Sequence, residues 1–221
     1  MLFRSTGAAT AVAAKHLARQ GASVASICGC GNQGRVQLRA LAAVRQLTRA
    51  FAFDADADRA NAFAAEMSRE LRAPVSVAAD VRKAVRESDL VVTCTPSRKA
   101  LLYPGDLAAG TFLAAVGADG PDKQELYPGL LASSAIVVDV LDQCATIGEL
   151  HHGLDAGLVS REDVRAELAD VVAGKKPGRI SEDEVVIFDS TGTALQDVAA
   201  AVAVFERAKE RGRGLALALG E

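Results

Sequence analysis

The sequence has no tryptophan, two tyrosines and seven phenylalanines, so aromatic side chains make up 4% of the chain. Its core must be built from small aliphatic groups. The abundance of Ala and Val suits slender helices lying close on a sheet. An excess of positive charge is also lacking: 25 Lys and Arg stand against 28 Asp and Glu, a net charge of −3. That balance leaves no electrostatic footprint for nucleic acid. No apolar run approaches the roughly 20 residues a membrane span needs, and the N-terminus has no signal-peptide layout. Cysteines are few. Cys28, Cys30, Cys94 and Cys144 show neither disulfide nor zinc spacing. Cys28 and Cys30, one residue apart, are poorly placed to bridge each other. All four read as small buried hydrophobes in a reducing cytoplasm. His151 and His152 are weighed as metal ligands and set aside, so no metal site is expected. Glu149 beside them reads as a helix-face acid.

Half of the 221 residues are hydrophobic, enough to bury the core of one large domain or of one domain with extensions. Short apolar strands alternate with helical segments. Helices are predicted over 6–20, from Asn32 to about Ala50, over Asp58–Leu71 and over Val81–Glu87. Strands are predicted at Val24–Cys28, Ala50–Phe53, Val75–Val77, Leu90–Thr93, Thr111–Val116 and Ala135–Val140. Continuously apolar strands alternating with helices imply an α/β fold: a Rossmann-like, doubly wound, mostly parallel sheet with helices on both faces. After Leu141 the pattern loosens. Ser160–Asp163 reads as a capping-box start of a short helix, and Val185–Phe188 as one more strand. Thr193–Arg211 reads as a helical extension with Leu195, Val198, Ala199, Val202 and Phe205 along one face. The organisation expected is a linking helix over 1–20, a nucleotide-binding domain over 21–180 and a strand and helix over 181–221.

The string ASICGCGNQGRVQ places Gly29, Gly31 and Gly34 as G-x-G-x-x-G directly after a strand and at the mouth of a helix. The first glycine allows the tight turn, the second a close approach of backbone to a pyrophosphate, and the third close packing of helix on strand. The helix start offers free N–H groups to the anion. Asp54 closes the next strand, twenty residues past Gly34, where a carboxylate can accept from ribose hydroxyls and disfavours a 2′-phosphate. NAD is therefore expected over NADP. The alternative is a glycine-rich turn without a ligand. Asp56 and Asp58 read as turn and helix-start residues. The stretch Thr93–Ser97 ends the fourth strand on the same sheet edge, either as a second cofactor contact or as simple termination by Pro96.

Residues 114–125, AVGADGPDKQEL, raise the remaining question, because they set Asp119 where a buried strand has just ended. Asp, Gly and Pro make ordinary turns, yet the ends of parallel strands are also where open α/β sheets bind ligands.

Five strings, GCGNQGRVQL, VVTCTPS, AVGADGPDKQEL, VVDVLDQCATIGEL and FDSTGTALQDVAAA, occur in an order and spacing that resemble the ornithine cyclodeaminase/mu-crystallin family, from about residue 6 to 210. The resemblance implies NAD bound by a Rossmann domain against a separate substrate domain. It also implies a small amino-acid or imino-acid substrate and a homodimer. Its members include ornithine cyclodeaminases, alanine dehydrogenases and cyclic ketimine reductases. It implies Asp119 as the catalytic base and acid, its pKa raised by burial beside the nicotinamide. It implies cofactor contacts at Asn32, Gln33, Asp54, Thr93 or Thr95, Val116, Gly117, Ala118, Lys123 and Ser190, in addition to the three glycines. Thr191 matches a position beside the substrate. The family's substrate domain precedes the Rossmann unit and carries a lysine and an arginine; Met1 falls where that domain would hand over, and no motif here replaces the lysine, Lys15 being a solvated helix residue. A further family arginine is matched by Arg4 with a one-residue offset, Ser5 standing in its place. A nucleotide-binding module without turnover is the alternative from a different class.

Overall fold

The computed structural model describes residues 2–215, with the side chains of residues 2 and 3 left aside. In chain order its elements are α1 (Leu2–Leu17), β1 (Val24–Cys28), α2 (Asn32–Val44), β2 (Arg49–Phe53), α3 (Ala57–Leu71), β3 (Val75–Val77), α4 (Val81–Arg86) and β4 (Leu90–Thr93). Then come β5 (Arg98–Leu102), β6 (Phe112–Ala115), β7 (Gln124–Leu126), α5 (Pro128–Ala132), β8 (Ala135–Val138), α6 (Leu141–Ile147) and α7 (Glu149–Asp155). Last are β9 (Val164–Glu167), α8 (Leu168–Val172), β10 (Val186–Asp189) and α9 (Ala194–Glu210).

Eight strands form one sheet in the order β3-β2-β1-β4-β6-β10-β8-β9, every neighbouring pair parallel. Residues alternate between two apolar layers, as strand geometry requires. Leu90 and Val92 of β4, Phe112 and Ala114 of β6, and Val186 and Phe188 of β10 point to one layer with α1, α2, α3 and α8. Val91, Leu113 and Ile187 point to the other, with α4, α5, α6 and α7. The doubly wound fold expected from the alternation is the one found. The chain runs outward from β1 through β2 to β3, then crosses back to β4 on the other side of β1. The reversal leaves a crevice between β1 and β4 at the strands' C-terminal ends, where such sheets bind ligands.

Several boundaries shift for physical reasons. α2 stops at Val44, not near Ala50, because the chain must turn back into β2: the Arg45 N–H closes on the Leu41 carbonyl and the Thr48 N–H donates to Ser23 O. α1 begins before residue 6, so Arg4 and Ser5 lie inside the helix. The Ser160–Asp163 capping box forms, but it caps a single 3-10 turn leading into β9. A second, two-stranded sheet of β5 and β7 was not anticipated. Strand β10, assigned from the sequence to a segment apart from residues 21–180, fills the slot between β6 and β8 in the main sheet. Along α9 the apolar stripe is real but uncovered, with Leu195 78% and Phe205 68% exposed. All four cysteines are free thiols. Burial pushes the Cys30 thiol up to about 12 and Cys28 higher still.

Candidate active site

The glycine loop closes tightly at the crevice. Gly29 has φ +108, and a Cβ there would stand 2.8 Å from Cys94 O across the switch point. Its N–H donates to Phe53 O at 2.8 Å, tying the loop to the end of β2. A Cβ on Gly34 would meet Gly29 O at 2.1 Å, so α2 starts against the loop with no room for a side chain. Gly31, by contrast, has nothing within 4 Å of where a Cβ would be. No side chain caps α2, which leaves first-turn N–H groups without intrahelical partners. Arg35 braces the loop from behind, donating to Cys30 O and Gly31 O.

Asp54 does more than the sequence suggested. Its Oδ2 accepts the Cys30 N–H at 2.8 Å and its Oδ1 the Asp56 N–H at 3.0 Å, with the Arg59 guanidinium 3.8 Å away. Each carboxylate oxygen offers two lone pairs, so capacity for ribose hydroxyls remains. Asp56 is the N-cap of α3, accepting from the Arg59 N–H.

A cleft of about 380 Å³ opens where the strands end. Its walls bring together Gln33, Thr95, Val116, Gly117, Asp119, Lys123, Ser190 and Thr191, all expected from the sequence, with Thr6, Cys94, Pro96 and Gly192, which were not assigned. Gly29, Gly31, Asn32 and Gly34 belong to the loop and helix start from which Gln33 reaches the cleft. Three further residues expected at the site lie off the lining of this cleft. Thr93 is fully buried within the sheet and Ala118 is 1% exposed; neither lines the cleft, so Thr95 is the hydroxyl of that pair that does. Arg4 is exposed on α1 and lines neither this cleft nor the hollow of about 360 Å³ beside it. One residue of register decides this: Ser5, buried next to Arg4, donates to Asp197 of α9 at 2.6 Å, and Thr6 takes the wall position.

The Asp119 side chain is 64% exposed at the cleft, and Lys123 pairs with it at 2.5 Å. The lysine expected on the cofactor therefore lies across the carboxylate. His152 Nε2 lies 2.7 Å from Lys123 O and His151 pairs with Asp155 at 3.3 Å. Among the described residues no group of three or more His, Cys, Asp or Glu could hold a metal ion.

Beneath the cleft lie acids that the sequence did not mark. Glu125 is fully buried and accepts from the Thr95 N–H and hydroxyl and from the Gly117 N–H. Glu149, read as a helix-face acid, is equally buried, accepting from the N–H groups of Glu125 and Leu126. Asp139 accepts from Ser190 Oγ at 2.9 Å and the Gly192 N–H at 2.8 Å, holding the loop that carries Thr191. Asp189 is buried and raised to about 7, chiefly by desolvation, with the Asp139 charge adding. No periodicity distinguishes these acids from surface ones; only their places next to strand ends could have raised the suspicion.

A doubly wound parallel sheet whose glycine loop, at the switch point, meets a carboxylate at the end of the neighbouring strand β2 defines a dinucleotide-binding domain of the Rossmann type. The chain belongs to the ornithine cyclodeaminase/mu-crystallin family, whose profile matches residues 3–212. An alanine dehydrogenase of Archaeoglobus fulgidus is 41% identical over 210 residues, 95% of this chain and 64% of that one. An uncharacterized cyclodeaminase of Sinorhizobium fredii is 43% identical over 95% of this chain and 63% of its own length. Among solved structures, the Δ1-pyrroline-2-carboxylate reductase of Thermococcus litoralis in complex with NADH and L-proline superposes with a TM-score of 0.93 at 34% identity, over 96% of this chain and 66% of that one. The iminosuccinate reductase of Paracoccus denitrificans in complex with NAD+ gives 0.91 at 37% identity, over 99% and 67%. The chain thus spans 63% to 64% of the length of these two curated relatives. No helix among the described residues is long and apolar enough to cross a membrane.

Proposed function

We propose that this chain is the NAD-binding and acid–base half of an oxidoreductase acting on a small amino or imino acid, in the manner of a dehydrogenase or imine reductase. One observation carries the reading: Gln33 of the glycine-loop helix and Asp119 of the β6 end line the same cleft. The residues fit the cofactor. Gln33 Oε1 is buried without a partner among the described residues, the start of α2 is uncapped, and Gly31 faces open space. Gly31 to Gln33 would hold the pyrophosphate, Asp54 a ribose, and Thr95, Val116 and Gly117 the ring end. When bound, NAD supplies hydride transfer. Asp119 would take the proton from the substrate amine in one direction and return it in the other. For this Lys123 must release the carboxylate, and cofactor oxygens are its natural alternative partners.

The relatives named as dehydrogenases and reductases favour net hydride transfer. Cyclisation of ornithine to proline with loss of ammonia is the second reading, favoured by the likeness to a lysine cyclodeaminase structure at 30% identity. The test is isothermal titration of the protein with NADH and NADPH, followed by turnover on Δ1-pyrroline-2-carboxylate, on pyruvate with ammonia, and on ornithine, each repeated with Asp119→Asn. Binding of NADH over NADPH and turnover lost in Asp119→Asn are expected. Undiminished turnover in that variant overturns the assignment of the base, and no binding of either nucleotide overturns the whole reading.

The exposed stripe of α9 supports a homodimer or a covering by further chain. Sedimentation equilibrium of the protein and of Phe205→Glu checks it; a dimer that persists in the variant removes α9 from the contact. The four free thiols support a reducing, cytoplasmic setting.

A further inference from the structure

Residues 117–125 form a loop that carries Asp119 and Lys123 and that starts and finishes at one buried carboxylate. Glu125 Oε2 accepts the N–H of Gly117, the first residue of the loop, at 3.1 Å. Its Oε1 accepts the Thr95 N–H at 2.6 Å and the Thr95 hydroxyl at 2.7 Å. Thr95 follows β4 and Gly117 follows β6, so one carboxylate joins the two strand ends that flank the ring end of the cleft. The fit leaves no slack, since a Cβ on Gly117 would stand 2.4 Å from Oε2 and 2.6 Å from Thr95 O. The backbone of Glu125 is itself fixed, its N–H donating to Glu149 Oε1 at 2.7 Å. A carboxylate withdrawn from water is costly unless several donors converge on it; here they do, and all of them belong to segments of the cleft wall. Desolvation still opposes the charge, pushing the carboxyl of Glu125 up.

We infer that Glu125 is a positioning residue: by closing the 117–125 loop and fastening it to Thr95, it sets where the Asp119 carboxylate stands relative to the glycine-loop side of the cleft. This rests on the role given above to Asp119, but the clasp itself can be read without it. Hydrogen–deuterium exchange of the full chain, followed at single amides by NMR, is compared for the unaltered protein, Glu125→Gln and Glu125→Asp. In Glu125→Gln an amide NH₂ replaces one acceptor, and exchange rises about tenfold or more at whichever of Gly117 and Thr95 faces it, as for loss of one hydrogen bond to a charged acceptor. Exchange at Cys30 stays as it was. The same variant loses turnover by a similar factor while its KM for NADH holds, and Glu125→Asp, which keeps the charge, recovers part of both.

Unchanged exchange at both Gly117 and Thr95, or a fall in NADH affinity as large as the fall in turnover, overturns the inference. Absence of turnover in the unaltered protein would count against the proposed function alone, because the exchange arm still decides the clasp. Should Glu125→Gln not fold, Thr95→Val and Thr95→Ser replace it: faster Gly117 exchange in the valine variant and not in the serine variant is the expected result, and equal exchange in both overturns the proposal.

Discussion

The two sides of the switch point use carboxylates to opposite ends. On the β1–β2 side a single acid, Asp54, holds the Cys30 and Asp56 N–H groups, while the start of α2 is left uncapped. On the β6–β10–β8 side three buried acids, Glu125, Glu149 and Asp139, engage the backbone N–H groups of Thr95, Gly117, Glu125, Leu126 and Gly192. The first side keeps donors unspent for an anion that arrives from outside. The second spends them internally, fixing the loops that carry Asp119 and Thr191. A surface that binds a charged cofactor needs free dipoles; one that must hold a proton-transfer group in register needs none.

The contrast can be broken most severely at Gly34. Gly34→Val puts atoms on Gly29 O, and overpacking of this kind costs about 1–3 kcal/mol or more; calorimetry should show a lowered Tm and titration no NADH binding. Gly31→Ala sharpens the comparison, since it meets nothing within 4 Å: Tm should hold while NADH affinity falls. On the other side, Glu149→Ala leaves two buried N–H groups without an acceptor and should lower the unfolding free energy by about 2 kcal/mol, read from urea denaturation, with NADH affinity largely kept. A pH effect comes next. The carboxyl of Asp189 is raised from 3.8 to about 7, first by desolvation. A raised acid gives stability that is full below the unfolded value and is lost as pH rises through the folded one. Its contribution therefore declines between about pH 4 and 7, and Asp189→Asn should flatten that part of the stability profile. The smallest effect is expected at Arg39, whose pair with Glu70 at 2.7 Å is exposed on both partners; Arg39→Ala should cost less than about 1 kcal/mol.

The glycine-loop side was legible in the sequence because its chemistry is local: the three glycines, the strand before them and Asp54 after them lie within one β-α-β stretch. The carboxylate side was legible only where a named residue reaches the cleft, as Asp119 and Thr191 do. Glu125 and Glu149 carry no pattern of their own. Burial of an acid depends on which strand ends meet above it, and those pairings join residues far apart in the chain. The little β5–β7 sheet escaped for a related reason. Arg98–Leu102 shows exposed residues at its start and a buried one only at Leu102, too little alternation to mark a strand. Lys123 lies four residues from Asp119, so the sequence allowed their pairing, but it could not weigh that pair against a ligand.

Strand β10 occupies the slot between β6 and β8, yet among the described residues it is the last strand to be synthesised. Until residue 189 has emerged, β8 and β9 cannot join the five-stranded remainder through hydrogen bonds, and two ribbon edges stand open facing each other. Completion of the sheet is thus a late, long-range event. A chain cut short at residue 180 would display both unpaired edges to any neighbouring molecule, which makes self-association, not a smaller folded domain, the outcome of early termination.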